Sequence, residues 1–477
     1  MEEQNNQNPN SEIASVFESQ QKTSITWRTS TLEERKGRLK EIRNWIQANH
    51  SQIHEALWKD FQKPKTETDL SEVFPVTSEI NHALKNLKSW MKSRSQSTPL
   101  PMLGTKAYIQ PEPKGTALII APWNYPFNLA IGPLVSAIAA GCTAIIKPSE
   151  MTPATSALIE EMISEIFPKD QVAVFQGDAE VSKELLALPF DHIFFTGSPQ
   201  VGKIVMENAA KNLSSVTLEL GGKSPAIVTE SADIQDTAKK LIWGKLVNCG
   251  QTCVAPDYIL VHESQKDLLL SELKIGIQEM YDPKYEGIEK SPDLARIVND
   301  RHFQRLDDYL KDAEEKGAVI EFGGKRNQHH RYLEPTLITG ISDSMKIAEE
   351  EIFGPILPII TYSDLQQAIN YINAKPKALA LYVFSQEKAE QELILHQTSS
   401  GNAVINDCVL HFLHNELPFG GVNNSGIGKA HGYHGFLAFS NEKGILKQRV
   451  GLNNVTLLRP PYGLKTKQLI NSLIKWF

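Results

Sequence analysis

Between Trp27 and Ser95 the apolar residues Leu39, Ile42, Trp45, Ile46, Ile53, Leu57 and Trp58 recur every three or four positions among mixed charges. That period predicts two or three surface helices, each with one apolar stripe. At Thr116 the pattern changes. Ala117–Ile120 is an unbroken apolar run read as a buried strand, and a helix from about Phe127 is expected to stop at Gly141, where a left-handed C-cap residue fits. Thr143–Ile146 reads as the next strand. Thr152 and Pro153 then read as N-cap and first helical residue of a helix with Leu158, Ile159, Met162, Ile163 and Ile166 on one face. Val172–Phe175 and His192–Phe195 add two more strands.

Short apolar strands alternating with helices predict right-handed crossovers and a parallel sheet covered on both faces. A second alternating region runs from Ala226 to about Ile405 and includes strands at Tyr258–Val261, Leu337–Ile338, Leu357–Tyr362 and Leu381–Phe384. The boundary falls at Gly221-Gly222. The proline-bracketed segment Thr98–Pro113 reads as a projecting strand available for pairing with another subunit.

At 477 residues the chain exceeds what one hydrophobic core usually organises. Its formal net charge of -7, without a basic stripe, argues against nucleic acid as a partner. Four irregularly spaced cysteines make no disulfide framework and favour a reducing cytoplasm. Residues 1–20 read as a disordered tail without the basic start and apolar run of a signal peptide. At the other end, 459–477 is basic and amphipathic, with Lys465, Lys467 and Lys475 among Leu469, Ile470, Leu473, Ile474, Trp476 and Phe477. Such a segment suits a membrane surface or a docked helix. The thirteen histidines suggest no metal spacing, so no metal is expected.

The chemistry gathers around Cys253 in Asn248-Cys249-Gly250-Gln251-Thr252-Cys253. A thiol in a loop of small and polar residues is open to a carbonyl compound, whereas Cys142, Cys249 and Cys408 read as core thiols. Glu219 in Leu218-Glu219-Leu220-Gly221-Gly222-Lys223 offers a base, and Asn124 in Pro122-Trp123-Asn124-Tyr125-Pro126 an amide donor. After the strand at 192–195, Thr196-Gly197-Ser198-Pro199-Gln200-Val201-Gly202-Lys203-Ile204 nearly spells a triphosphate loop. Ile204 stands where that loop needs a hydroxyl for magnesium. What remains is an anion site suited to a pyrophosphate, or an ordinary strand-to-helix turn. Lys147-Pro148-Ser149-Glu150 follows another strand on the same rim, where Lys147 and Glu150 can meet ribose hydroxyls or simply face solvent.

These motifs, with Glu351-Ile352-Phe353-Gly354-Pro355 and Pro418-Phe419-Gly420-Gly421 in the same order, resemble the aldehyde dehydrogenase superfamily over roughly 27–461. Ala255-Pro256-Asp257-Tyr258 and Arg301-His302-Phe303-Gln304-Arg305 look like its class 3 branch. The resemblance implies two doubly wound α/β domains, an atypical Rossmann-type cofactor domain (21–97 and 114–221) and a catalytic domain (222–425). A small β-strand element (98–113 and 441–458) would bridge a homodimer. It further implies NAD or NADP as cofactor and an aldehyde, medium or long aliphatic or aromatic, as substrate. Cys253 would be the nucleophile, Glu219 the base that activates water, and Asn124 with the Cys253 N–H the oxyanion hole. Lys147 and Glu150 would lie by the adenosine ribose, Ser198 with Gly197 and Gly202 by the pyrophosphate, Glu351 on the nicotinamide ribose, and Phe353 and Trp123 beside the cofactor. Asn423 departs from the family's usual Gly, and Asn is among the side chains best suited to a left-handed turn. His431 is a candidate for the substrate entrance. Two other readings stay open: an enzyme using coenzyme A in place of water or reducing a thioester, and a catalytically silent binding protein on the same fold.

Overall fold

The unbroken apolar runs become the central strands of two open sheets. The computed structural model describes residues 11–99, 102–451 and 453–476. In the first sheet the spatial order is Gly426–Ile427, Ser215–Leu220, His192–Gly197, Thr116–Ile120, Thr143–Lys147, Val172–Val174. All pairs are parallel except the short Gly426–Ile427, which runs antiparallel to Ser215–Leu220. Strand order therefore reverses beside Thr116–Ile120, which makes the carboxyl ends of that strand and of His192–Gly197 the switch point where ligands bind such sheets. The stretch 426–440, left unassigned by the sequence reading, thus returns to the first sheet through Gly426–Ile427.

The second sheet has seven strands in the order Val319–Phe322, Thr336–Thr339, Ile356–Tyr362, Tyr258–His262, Pro225–Val228, Ala380–Phe384, Asn402–Ile405. Only Val319–Phe322 is antiparallel. The chain leaves the first sheet at Leu220 and enters the second at Pro225. The carboxyl edge of one sheet therefore meets the amino edge of the other across Gly221–Ser224.

The helix Asn128–Ala140 is apolar on nearly every side and lies buried in the first core. It ends at Gly141 with φ 93°, as its sequence predicts, and a Cβ there would come within 2.7 Å of the Arg35 guanidinium. Arg35 occupies that space to donate to the carbonyls of Ala139 and Ala140, filling the acceptors that the last turn leaves open. Thr152 takes the N-cap position of Pro153–Ile166, but its side chain makes no capping bond. The carboxylate of Asp60 accepts from the Ala154 and Thr155 N–H groups instead.

The expectation of a disordered tail over 1–20 fails for its second half. Glu12–Trp27 is a helix capped by Ser11, whose hydroxyl accepts from the Ala14 N–H at 3.2 Å. It docks because Phe17 packs edge-on against Phe190, and Gln20 donates to the carbonyls of Ala144 and Lys169. Residues 1–10 lie outside the described part of the chain.

The projecting strand is Lys106–Pro113, paired antiparallel over eight residues with Ser440–Lys447. A third strand, Arg94–Gln96, joins its other side and was not foreseen. The paired strands are thus shorter than the expected 98–113 and 441–458.

Candidate active site

Cys253 is placed by a backbone turn that few sequences can make. Asn248, Cys249 and Gly250 all have left-handed φ, at 53°, 56° and 75°. Non-glycine residues seldom adopt that region, so two in succession must be held by their surroundings. At Gly250 a Cβ would lie 2.3 Å from the Gly354 carbonyl oxygen, so only glycine fits. The Glu67 carboxylate accepts from the Asn248 N–H at 3.0 Å. Asn248 Nδ2 donates to the carbonyls of Asn124 at 2.7 Å and Gln251 at 3.2 Å. Asn124 Nδ2 also donates to the Gln251 carbonyl, at 3.1 Å, while the hydroxyls of Tyr125 and Thr252 lie 2.5 Å apart. The loop of the amide and the loop of the thiol are therefore one hydrogen-bonded unit.

Behind that unit lies a buried ion pair. Lys63 and Glu72 are each fully enclosed, with Nζ 2.7 Å from Oε1. Glu72 Oε2 accepts from the Asn128 N–H, and the Lys63 ammonium lies 4.5 Å from the centre of the Tyr125 ring.

Glu219 projects from the strand that ends the first sheet. Both its carboxylate oxygens are buried and lack a hydrogen-bond partner among the described residues. Burial holds this carboxyl well above the usual carboxylate range, with Lys429 the positive charge that opposes the shift. Lys429 is itself fixed, donating to the carbonyls of Gly420 at 2.5 Å and Gly401 at 3.3 Å. Cys253 is half-buried. Burial, then the neighbouring carboxylates Glu351 and Glu219, push its thiol up to about 12. Such a thiol resists ionisation until a positive charge arrives beside it.

The adjoining residues fit a nicotinamide dinucleotide. Ser198 caps the helix Pro199–Asn212 at the sheet's switch point, and the Thr196 hydroxyl is buried there with no hydrogen-bond partner among the described residues. A Cβ at Gly197 would strike the Phe195 ring at 2.5 Å, so the backbone stays bare where a phosphate approaches. Lys147 is buried, and its ammonium lies 2.7 Å from the half-exposed Glu150 carboxylate. At the other end a Cβ on Gly221 would lie 2.1 Å from Glu351 Oε2. Burial, then Asp257, raises the Glu351 carboxyl to about 8, opposed by the Gly222 N–H that it accepts. Phe353 has φ 51° and meets the Trp123 ring edge-on at 5.3 Å. Arg305 donates to the carbonyls of Glu351 and Phe353 and so fastens this segment.

Trp123, Asn124, Lys147, Glu150, Gly197, Ser198, Glu219, Cys253, Glu351 and Phe353 all line one cavity of about 860 Å³. Gly202 does not. It is buried in the first turn of its helix, where a Cβ would meet Leu220 at 2.7 Å, so it serves close packing of helix on strand.

The same cavity is also lined by the apolar side chains of Leu129, Trp243, Val247, Leu410, Phe412 and Phe419. His431 lines the cavity too, stacked on Phe419 at 4.9 Å, and burial lowers its imidazole to about 4. The Glu79 carboxyl also lines it, accepts from the Gly432 N–H at 2.6 Å, and is raised by burial to about 7. Asn423 takes the left-handed turn expected of it, at φ 54°, and accepts from Lys377. Cys142, Cys249 and Cys408 are buried and free. Sequence reasoning missed Glu67, the Lys63–Glu72 pair, Glu79 and Lys429 as parts of the site. Arg305 stood within a noted motif but without a role.

A model of the aldehyde dehydrogenase family matches residues 4–445. A 4,4'-diaponeurosporen-aldehyde dehydrogenase of Staphylococcus aureus is 45% identical over 93% of this chain and 95% of its own length. Aldehyde dehydrogenase family 3 member A2 of Mus musculus is 41% identical over 92% of this chain and 89% of its own. Among solved structures, a substrate-bound state of Staphylococcus aureus AldH superposes with a TM-score of 0.93 at 43% identity, covering 97% of this chain and 99% of that one. A Staphylococcus aureus betaine aldehyde dehydrogenase in complex with NAD+ gives a TM-score of 0.82 at 27% identity, covering 92% and 88%.

Proposed function

The chain belongs to the aldehyde dehydrogenase family and oxidises an aldehyde with a nicotinamide dinucleotide, and we propose that it does so through a thioester on Cys253 that water resolves. The observation that carries this course is the convergence of Cys253, Glu219, Asn124 and Glu351 on one cavity, with the Asn124 and Cys253 loops hydrogen-bonded together.

Cys253 gives its proton to solvent and its sulfur bonds to the aldehyde carbon as the carbonyl π pair moves to oxygen, which becomes negative. Asn124 spends one amide hydrogen on Gln251, so its other amide hydrogen and the Cys253 N–H are the donors for that oxygen. Bound NAD(P)+ supplies the acceptor for the hydride that leaves the tetrahedral carbon. Glu351 orients the nicotinamide ribose, while Lys147 and Glu150 meet the adenosine ribose. Collapse of the adduct leaves the acyl group on sulfur. Glu219, once ionised, takes a proton from water as its oxygen bonds to the acyl carbon. The carbon–sulfur bond then breaks, giving the carboxylic acid and the thiolate. A carboxyl raised by burial is the stronger base for this task. That base favours water over coenzyme A as the acyl acceptor.

The apolar side chains that line the cavity support medium or long aliphatic and aromatic aldehydes as substrates, with kcat/KM rising with alkyl length. The edges of the three-stranded sheet support a homodimer, testable by sedimentation. The free thiols suit a cytoplasmic setting. The C-terminal helix Leu464–Trp476 exposes Leu464 and Ile474 beside its lysines, which supports contact with an anionic membrane surface. Among the described residues no helix is long and apolar enough to cross a membrane. Liposome co-sedimentation of the full chain, against a truncation after Pro461, tests that contact.

The decisive assay follows reduced nicotinamide with aliphatic and aromatic aldehydes, using Cys253→Ser as control. Loss of turnover with retained cofactor binding is expected. Activity surviving the substitution overturns the assignment. No turnover of any aldehyde by the wild-type protein revives the silent-protein reading, and acyl-coenzyme A as product revives the coenzyme A reading.

A further inference from the structure

Outside the cavity, three side chains converge in a way that their separation in sequence conceals. His50 and His54 are one turn apart on the helix His50–Phe61, a spacing that puts both imidazoles on one face. Asp69 opens the π-helical segment Asp69–Val73 and faces them. Its Oδ1 lies 2.6 Å from His50 Nε2 and 2.7 Å from His54 Nε2. The rings are 4.3 Å apart, and the three donor atoms lie within 4.8 Å of one another. His54 is largely enclosed, whereas His50 and Asp69 leave one side open to water.

Two imidazoles pointing at one carboxylate oxygen make either a shared hydrogen-bond acceptor or three ligands around a cation. As hydrogen bonds alone, partly exposed contacts of this kind contribute little. We propose that His50 Nε2, His54 Nε2 and Asp69 Oδ1 bind one divalent transition-metal ion of the zinc type, with solvent completing a tetrahedral shell. Two nitrogens and one carboxylate oxygen suit zinc rather than magnesium or calcium, which prefer oxygen ligands. Tetrahedral bonds of about 2.0–2.1 Å put neighbouring donors roughly 3.3 Å apart. Each imidazole thus sits a little over half an ångström further from Asp69, a change that the half-exposed Asp69 and His50 side chains can make by moving away from the enclosed His54. This reverses the expectation, drawn from sequence, that the histidines hold no metal.

The ion would tie two segments together. Asp69 precedes Leu70 and Ser71, both in the cavity wall, and the Ser71 carbonyl accepts from Asn128 Nδ2 at 3.1 Å. A π-helical turn is itself often found at functional sites. The site is therefore a structural clamp between the helix His50–Phe61 and the wall of the cavity.

The test uses full-length Cys253→Ser protein, because the other three cysteines are buried and this substitution removes the half-buried thiol as a competing ligand. After chelator treatment, zinc chloride is titrated by calorimetry and cobalt chloride by absorption. One equivalent should bind with a Kd of about 1 μM or tighter, raise Tm by a few degrees, and give the visible bands of four-coordinate cobalt. His54→Gln and, separately, the surface variant His50→Gln should weaken binding at least about tenfold. His330→Gln, at the exposed pair with Glu289, should leave it unchanged. Absence of stoichiometric binding, equal binding by the His50 and His54 variants, or loss through His330→Gln alone overturns the proposal.

Discussion

The side chain of Asn248 donates to the backbone carbonyl of Asn124 across 2.7 Å, joining the loop that precedes the nucleophile to the loop that carries the oxyanion donor. The two loops come from different sheets, so this bond and the one from Asn124 to Gln251 fix the thiol and amide relative to each other. Asn248→Ala removes the side-chain donor and puts a Cβ-only residue at a left-handed φ. We expect kcat to fall about 10- to 100-fold, because small misplacements at a reacting centre cost that much, while NAD+ affinity stays within about twofold. Stopped-flow turnover and a separate cofactor titration check both halves. Unchanged kcat would show that the loops hold their geometry without this bond.

Lys63 and Glu72 support the same region from behind. Lys63→Met leaves Glu72 enclosed without its cation, a type of change that costs about 3–5 kcal/mol. Urea denaturation should show that loss, and Lys63→Met with Glu72→Leu should recover part of it. A single variant as stable as the wild type would contradict the ion pair's structural role.

The folded-state rise of Glu79 to about 7 has a defined sign. The folded protein holds a proton on this carboxyl that the unfolded chain releases near 4.5, so the group's favourable contribution is present at acid pH and is lost as pH rises through about 7. Glu79→Gln keeps an acceptor for the Gly432 N–H and cannot titrate. Its stability relative to wild type should therefore climb between about pH 5 and 8, by roughly 3 kcal/mol at most. Denaturation curves across that range test it, and parallel pH profiles for the two proteins would contradict it.

Much of this was legible beforehand because the strands of both sheets are unbroken apolar runs and the reactive residues sit in short motifs at strand ends. Gly141 ended its helix and Asn423 made its left-handed turn because those conformations select residue types directly. Other features depend on partners distant in the chain. Thr152 reads as a cap from its neighbours alone, yet Asp60 caps that helix from far upstream. Residues 12–20 looked like tail because their polar composition hides how few contacts, chiefly Phe17 and Gln20, are needed to dock a helix. Gly202 looked like a phosphate glycine by spacing, but its missing Cβ makes room for Leu220. Likewise Glu67 and Glu79 carry no local mark, since only the fold buries them against backbone N–H groups.

Cofactor choice should respond to Glu150. Its carboxylate pairs with Lys147 beside the proposed adenosine ribose, where a 2′-phosphate would meet a negative charge. Glu150→Gln removes the repulsion and frees Lys147. The ratio of kcat/KM for NADP+ to that for NAD+ should rise about tenfold, equivalent to roughly 1.4 kcal/mol. An unchanged ratio would place the 2′ position elsewhere.

The most direct test of the central claim is the mass of the trapped enzyme. With Glu219→Gln, the acyl group should form on sulfur but no longer be resolved by water. Rapid acid quench after mixing with NAD+ and an aldehyde, followed by intact-mass and peptide analysis, should find one acyl equivalent on Cys253 together with one equivalent of reduced nicotinamide. Reduced nicotinamide formed while Cys253 stays unmodified would contradict the account.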